Sequence, residues 1–168
     1  YKRQGMLTNC FDLDRHSTRR AQLVNYIYDF KNKYKSSPAA CPSESELLDG
    51  WNKLQVALQW SNLYCADSVD LKLRSLGFGT TPPLRLTSEQ IELMAEVEHN
   101  RWNMEKLLLG YSKPTPEEEE KCKDNAVRKE YKTKRFVHTD IRPYYQLDEG
   151  TKEYDRCISE CLPLTAEQ

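Results

Sequence analysis

Apolar positions from Thr87 to Tyr111 (TSEQIELMAEVEHNRWNMEKLLLGY) recur at helical spacing, and the stretch carries signals for both of its ends. Thr87 and Gln90 have the T-x-x-Q spacing of a capping box, in which each side chain satisfies a backbone N–H of the other residue. Gly110 suits the left-handed position just past a helix end because it has no Cβ to clash. The pattern predicts a helix of about six turns. On it Ala95, His99, Trp102 and Lys106 fall at i, i+4, i+7 and i+11, so imidazole, indole and ammonium share one face. That face reads in two ways. It is either chemistry offered to a ligand, or a core tryptophan, a hydrogen-bonded histidine and a snorkelling lysine stem.

Upstream, Ala21, Val24, Ile27, Tyr28 and Tyr34 predict a helix capped by Ser17 or Thr18 and ending near Lys35. An extended arm containing Cys10, Phe11 and Leu13 is expected before it. Residues 36–50 (SSPAACPSESELLDG), with two prolines and many small polar residues, read as a loop with at most one helical turn. Leu63, Ala66, Val69, Leu73 and Leu76 predict a second long helix over 58–76, stopped by Gly77. Gly79 to Pro83 is a stiff connector and divides the chain into units 1–83 and 84–168. Beyond the central helix, Thr115 as N-cap, Pro116 at N1 and acids in the first turn predict a short helix to about Tyr131. Its apolar content is so low that 112–134 is expected to be mobile or to flank an insertion. Phe136 to Ile141 is expected to be a short strand or extended piece, and Glu149 to Leu162 the last helix.

The two units echo each other. Trp51 and Tyr144 lie 93 positions apart, and at the same offset Leu54 meets Leu147, Asn62 meets Asp155, Cys65 meets Ile158 and Val69 meets Leu162. Tyr28 stands where His99 stands in the second copy. The expected fold is mostly α, two pseudo-symmetric helical lobes with short β segments packed into one compact body.

Composition narrows the function classes. The chain of 168 residues is 38% hydrophobic and 30% charged, which is polar but globular. It begins at Tyr1, which suggests a piece of a longer protein. No apolar run approaches the roughly 18 residues of a membrane span, and no signal-peptide pattern is visible. A cytoplasmic location without direct membrane contact is expected, any membrane attachment of the parent lying outside these residues. The net charge of -1 conceals two basic sectors, Lys2 to Lys35 and Lys121 to Arg142. These could draw in an anionic small molecule or a phosphorylated partner, or be solvated helix faces. With a pI near 6.4 and no dominant basic stripe, a nucleic-acid polymer is a poor partner. The six cysteines form no C-x-x-C, and no histidine stands at ligand spacing to another or to a cysteine. Reduced thiols, no metal and no cofactor are expected.

Several motifs together carry a family resemblance. Leu93-Met-Ala-Glu-Val-Glu-His99-Asn100-Arg-Trp102 is followed by Leu109-Gly110-Tyr111, then by Arg135-Phe-Val-His138-Thr-Asp140-Ile-Arg-Pro143-Tyr144-Tyr-Gln-Leu147, and then by Tyr154-Asp155-Arg156. This series resembles the RyR repeat, the paired domain of the cytosolic part of ryanodine receptors that also occurs in bacterial proteins, often behind a channel or nucleotide-binding domain. Trp51-x-x-Leu54, Ser61-Asn62 and Lys72 to Gly77 resemble a divergent first copy. Tyr28 in place of the usual histidine, Thr139 in place of a proline and a longer, more charged 112–134 loop depart from the family and leave the second copy as the better site.

The resemblance implies a non-catalytic regulatory or ligand-sensing module of a larger cytosolic or channel-associated protein, with a nucleotide-derived anionic ligand or other domains of the parent as partners. The alternative is a scaffold domain with the 112–134 loop as contact element. Candidate ligand-binding residues are His99, Trp102, Tyr111, His138, Tyr144 and Arg156, since an aromatic ring can stack on a base while Arg or His donates to a phosphate. Equally, His138 and Tyr144 could be packed on the Trp102 helix as core, with Asp155 accepting from His99 or His138. An enzyme is not expected. His99 with Cys157 has no context that would activate a thiolate.

Overall fold

A computed structural model describes residues 16–78 and 85–166 of the chain and is mostly helical. The arm with Cys10 and the connector from Gly79 to Pro83 lie outside the described residues. Helix α1 (His16–Tyr34) buries Ala21, Leu23, Val24 and Ile27. It begins upstream of the expected cap, and Tyr34, placed by its spacing on the apolar stripe, is exposed. Residues 36–50 are not all loop, because Ser43 and Glu46 form a reciprocal capping box that starts α2 (Glu44–Asn52), anchored by buried Leu47.

The long helix expected over 58–76 is two, α3 (Val56–Asp67) and α4 (Val69–Ser75). They part at Ser68, whose hydroxyl donates to the Cys65 carbonyl at 2.6 Å. Helix α5 (Ser88–Leu108) has the expected box between Thr87 and Gln90. At its other end Gly110 takes φ +86°, and Tyr111 N–H to Lys106 O (2.9 Å) with Gly110 N–H to Leu107 O (3.0 Å) completes a Schellman motif.

The charged segment after α5 is two short helices, α6 (Pro116–Lys121) and α7 (Asn125–Glu130), followed by a π-helical turn Tyr131–Arg135. Thr115 caps α6 as expected; the break comes where the Asp124 carboxylate accepts from Ala126 and Val127 N–H and restarts the chain as α7. The segment is held to the body, with Cys122 buried and Glu119 paired to Arg142 at 2.9 Å. In place of short strands, the β pairing among the described residues is one parallel bridge, Ser112 to Val137. A 3-10 turn Tyr144–Gln146 then leads to α8 (Glu149–Glu160) and α9 (Leu162–Ala166).

The most extensive helix contacts are α1 with α3 and α5 with α8. One core joins both halves of the chain, Leu23, Val24, Ile27 and Cys65 meeting Cys157, Ile158 and Cys161. A second joins Val69 and Leu73 to Met94 and Leu162, and Ala95, Tyr144 and Leu147 form a third. The 93-residue offset is matched by some element bounds and not by others, since residues 137–145, 93 positions after α2, form no α-helix. α3 begins and ends 93 positions before α8, and α4 begins 93 before α9. Asn62 and Asp155, Cys65 and Ile158, and Val69 and Leu162 are all buried.

Candidate functional site

Helix α5 holds the site together. Its capping box and Schellman motif fix its ends, so residues 99, 102, 103 and 106 present one face along it. Against that face lies the stretch from His138 to Tyr144. The Arg142 carbonyl accepts from Asn103 Nδ2 at 3.0 Å and lies 2.9 Å from His99 Nε2, which anchors the stretch to α5 at its middle. His99 Nδ1 is 3.2 Å from Asp155 of α8. Both ring nitrogens therefore face acceptors. Burial alone would lower the pKa of His99, but Asp155 and the Arg142 carbonyl outweigh it and raise the value, favouring the imidazolium.

His138 has the opposite character. Its backbone N–H donates to Ser112 O at 3.0 Å, and its Nδ1 accepts from the Asp140 N–H at 3.2 Å. Burial first, then the charges of Lys132, Lys106 and Arg128, push its pKa down to about 4 against the pull of Asp140. The ring is neutral near pH 7 with its proton on Nε2. Among the described residues no group takes that Nε2–H.

Trp102 is half-buried rather than core. His99 stacks on it with centroids 5.7 Å apart, and His138 meets it edge-on at 4.8 Å. The Lys106 ammonium lies 5.6 Å from the Trp102 ring centre and 6.0 Å from that of Tyr111, while Glu105 pairs with it at 2.9 Å. Tyr111 in turn packs edge-on against Phe136, 5.2 Å away.

A cavity of about 310 Å³ opens beside His138, lined by Asn125, Arg128, Lys129, Lys132, Thr139 and Asp140 among others. Among the described residues no carboxylate pairs with Arg128, Lys129 or Lys132. Burial and the like charges of Lys106 and Arg128 hold the Lys132 ammonium below the usual lysine range despite the attraction of Asp140. Such a concavity attracts anions.

The sequence-predicted residues thus divide. His138 lines the cavity, and Trp102 and Tyr111 support it from behind. Tyr144 is buried beside His99, 6.0 Å between rings, and belongs to the core. Arg156 is not the open anion partner expected of it. Its guanidinium is held bidentately by Glu92 (2.7 and 3.0 Å) and also by Glu149 (2.8 Å) and Glu153 (3.1 Å), clamping α8 to α5. Arg128, Lys129 and Lys132 were missed as individual site residues. Their signal was the basic sector from Lys121 to Arg142.

Other chemistries find little here. Cys157 is buried, its thiol donates to Tyr154 O, and burial pushes its pKa well up, so it is a poor nucleophile. Among the described residues no group of three His, Cys, Asp or Glu side chains could hold a metal ion, and no helix is long and apolar enough to cross a membrane. No family model matches the chain, and comparison with curated proteins and with solved structures finds no match.

Proposed function

We propose that the chain is a non-catalytic, ligand-sensing module of the RyR type, two copies of one helical unit, acting as a cytoplasmic part of a larger protein. Its second copy takes a nucleotide-derived anionic ligand at the cavity beside His138. The observation that carries this reading is the convergence of Arg128, which donates to Asn125, with Lys129 and Lys132, none of them paired to a described carboxylate, on a concavity that His138 also lines. Phosphate oxygens are acceptors only and suit such a donor set. At about 310 Å³ the cavity matches the small end of ligand pockets, so it would hold the phosphoryl-bearing part of a nucleotide and leave the remainder outside. The shared register of α3 with α8 supports the repeat reading.

The test is calorimetric titration of the chain with adenine mononucleotides and dinucleotides, with inorganic pyrophosphate as the minimal probe. Lys132→Ala and Arg128→Ala should each weaken binding by about 10-fold or more while leaving the free protein's melting temperature unchanged. Arg156→Ala should lower the melting temperature and leave affinity nearly intact. If none of these anions binds, the sensing role falls and a scaffold role for the 112–134 segment takes its place.

A further inference from the structure

Helix α5 has a third face, which neither the core nor the site uses. Leu93, Val97, Met104 and Leu108 follow at i, i+4, i+11 and i+15, one stripe along the helix, and are 52, 38, 58 and 83% exposed. The stripe runs beside the row Glu98, Arg101 and Glu105 that meets the first half of the chain. Glu98 pairs there with Lys72 of α4, and Glu105 accepts from Ser61 of α3 at 2.9 Å. These contacts run α3–α4 antiparallel to α5, Ser61 opposite Glu105 and Ser75 opposite Met94. On the same side of that seam the first half exposes Trp60 and Tyr64, one turn apart with rings 6.0 Å between centroids, and then Leu71 at 71%.

The two stripes therefore form one apolar face across an antiparallel helix pair. Its side chains leave on the order of 800 Å² uncovered, about what one partner contributes to a standard protein interface. Asn100, Ser68 and Ala57 fill positions between the apolar side chains, Arg101 in the seam is spent on Glu98 and Glu105, and exposed Asp67 stands at the rim between Tyr64 and Leu71, so the middle of the face carries no unpaired charge to select an oppositely charged partner. An apolar face on two antiparallel helices can meet its own copy across a two-fold axis, and the pair stacked on that copy makes a four-helix layer.

We infer that this α3–α4–α5 face is the interface of a homodimer, a second copy of the chain being its occupant. Because α5 also carries Trp102 and Lys106, one helix spans both the interface and the candidate site.

Sedimentation velocity on the wild-type chain over a wide concentration range should give a dimer in reversible equilibrium with monomer. Met104→Glu with Leu108→Glu should raise the dimer dissociation constant by at least about a hundredfold, since aromatic and large apolar anchors dominate interfaces, with the helical circular dichroism unchanged. Should that variant lose its helical signal, Trp60→Ser with Leu71→Lys on the facing helices decides in its place. A wild-type chain that stays monomeric at the highest concentration run overturns the inference. So does a dimer that either folded variant leaves intact.

Discussion

Lys72 of α4 donates to the Glu98 carboxylate of α5 in the interior, with the two side chains 2% and 0% exposed. Glu98 also takes the Arg101 guanidinium at 2.8 to 3.1 Å, and Arg101 goes on to Glu105 at 2.8 Å. Glu105 then holds Lys106 over the Trp102 and Tyr111 rings. A charge chain thus runs from the first half of the molecule to the back of the candidate site.

Glu98 is the link whose loss leaves two buried cations short of a partner. Glu98→Gln should cost about 3–5 kcal/mol. Lys72→Met leaves Glu98 still bound by Arg101 and should cost less, about 1–2 kcal/mol. Urea denaturation of both variants checks the order; a Lys72→Met cost equal to or above that of Glu98→Gln contradicts it.

The same pair sets an acid limit. Burial alone would raise the Glu98 pKa, but Lys72 and Arg101 overcome it and hold the carboxyl at about 2. Its contribution is fully present above the ordinary carboxylate range and is lost as pH falls toward that value. Wild-type stability should fall more steeply than that of Glu98→Gln between about pH 4.5 and pH 2, measured by denaturant titration at each pH.

The two site histidines pull in opposite directions. His138, with its folded pKa pushed down to about 4, binds fewer protons folded than unfolded, so its term raises stability as pH rises from about 4 to the ordinary histidine value near 6.5. His99, with its pKa raised, contributes below about 6.5 and loses that contribution as pH climbs through its folded value. Melting temperature against pH should peak near pH 6.5 or slightly above. Asp155→Asn should flatten the alkaline fall, and His138→Gln the acid rise.

An anion in the cavity should reverse the depression of His138, because its charge offsets Lys132 and Arg128 and it accepts from the ring. Proton NMR titration of the His138 ring with and without pyrophosphate should show the pKa rising by about 1 unit or more, with His99 little moved. Equal shifts in both rings would place the anion elsewhere.

Burial governs the thiols. Cys65 and Cys161 are pushed up to about 12, chiefly by burial, and Cys122 and Cys157 are also buried. These four should resist a thiol-specific disulfide reagent at pH 8 in the native protein and react once it is denatured, while exposed Cys41 reacts at once. Rapid native modification of Cys157, followed by peptide mapping, would contradict the packing of α8 on α1.

Local rules were legible in the sequence wherever the decisive groups are neighbours in the chain. The Thr87–Gln90 box, the Gly110 stop, the Thr115 cap and the apolar residues of α1 all depend on spacings of a few residues, and the structure has them. The Ser43–Glu46 box was equally local and was hidden only by the prolines around it. The break at Ser68 was not legible, since a hydroxyl that turns back to a carbonyl three residues earlier competes with a helix pattern that continues through it. Tertiary structure alone decided the fate of the charges. Arg156 looked like an open guanidinium because nothing nearby in sequence says that Glu92, 64 positions away, will take both its edges. Lys132 looked like a solvated lysine in a charged run because its place beside His138 depends on how the 112–135 segment folds back through the Ser112–Val137 bridge. Helix formation rests on contacts a turn apart, which spacing encodes; charge pairing rests on contacts across the fold, and only the packed chain determines which cations meet a carboxylate and which do not.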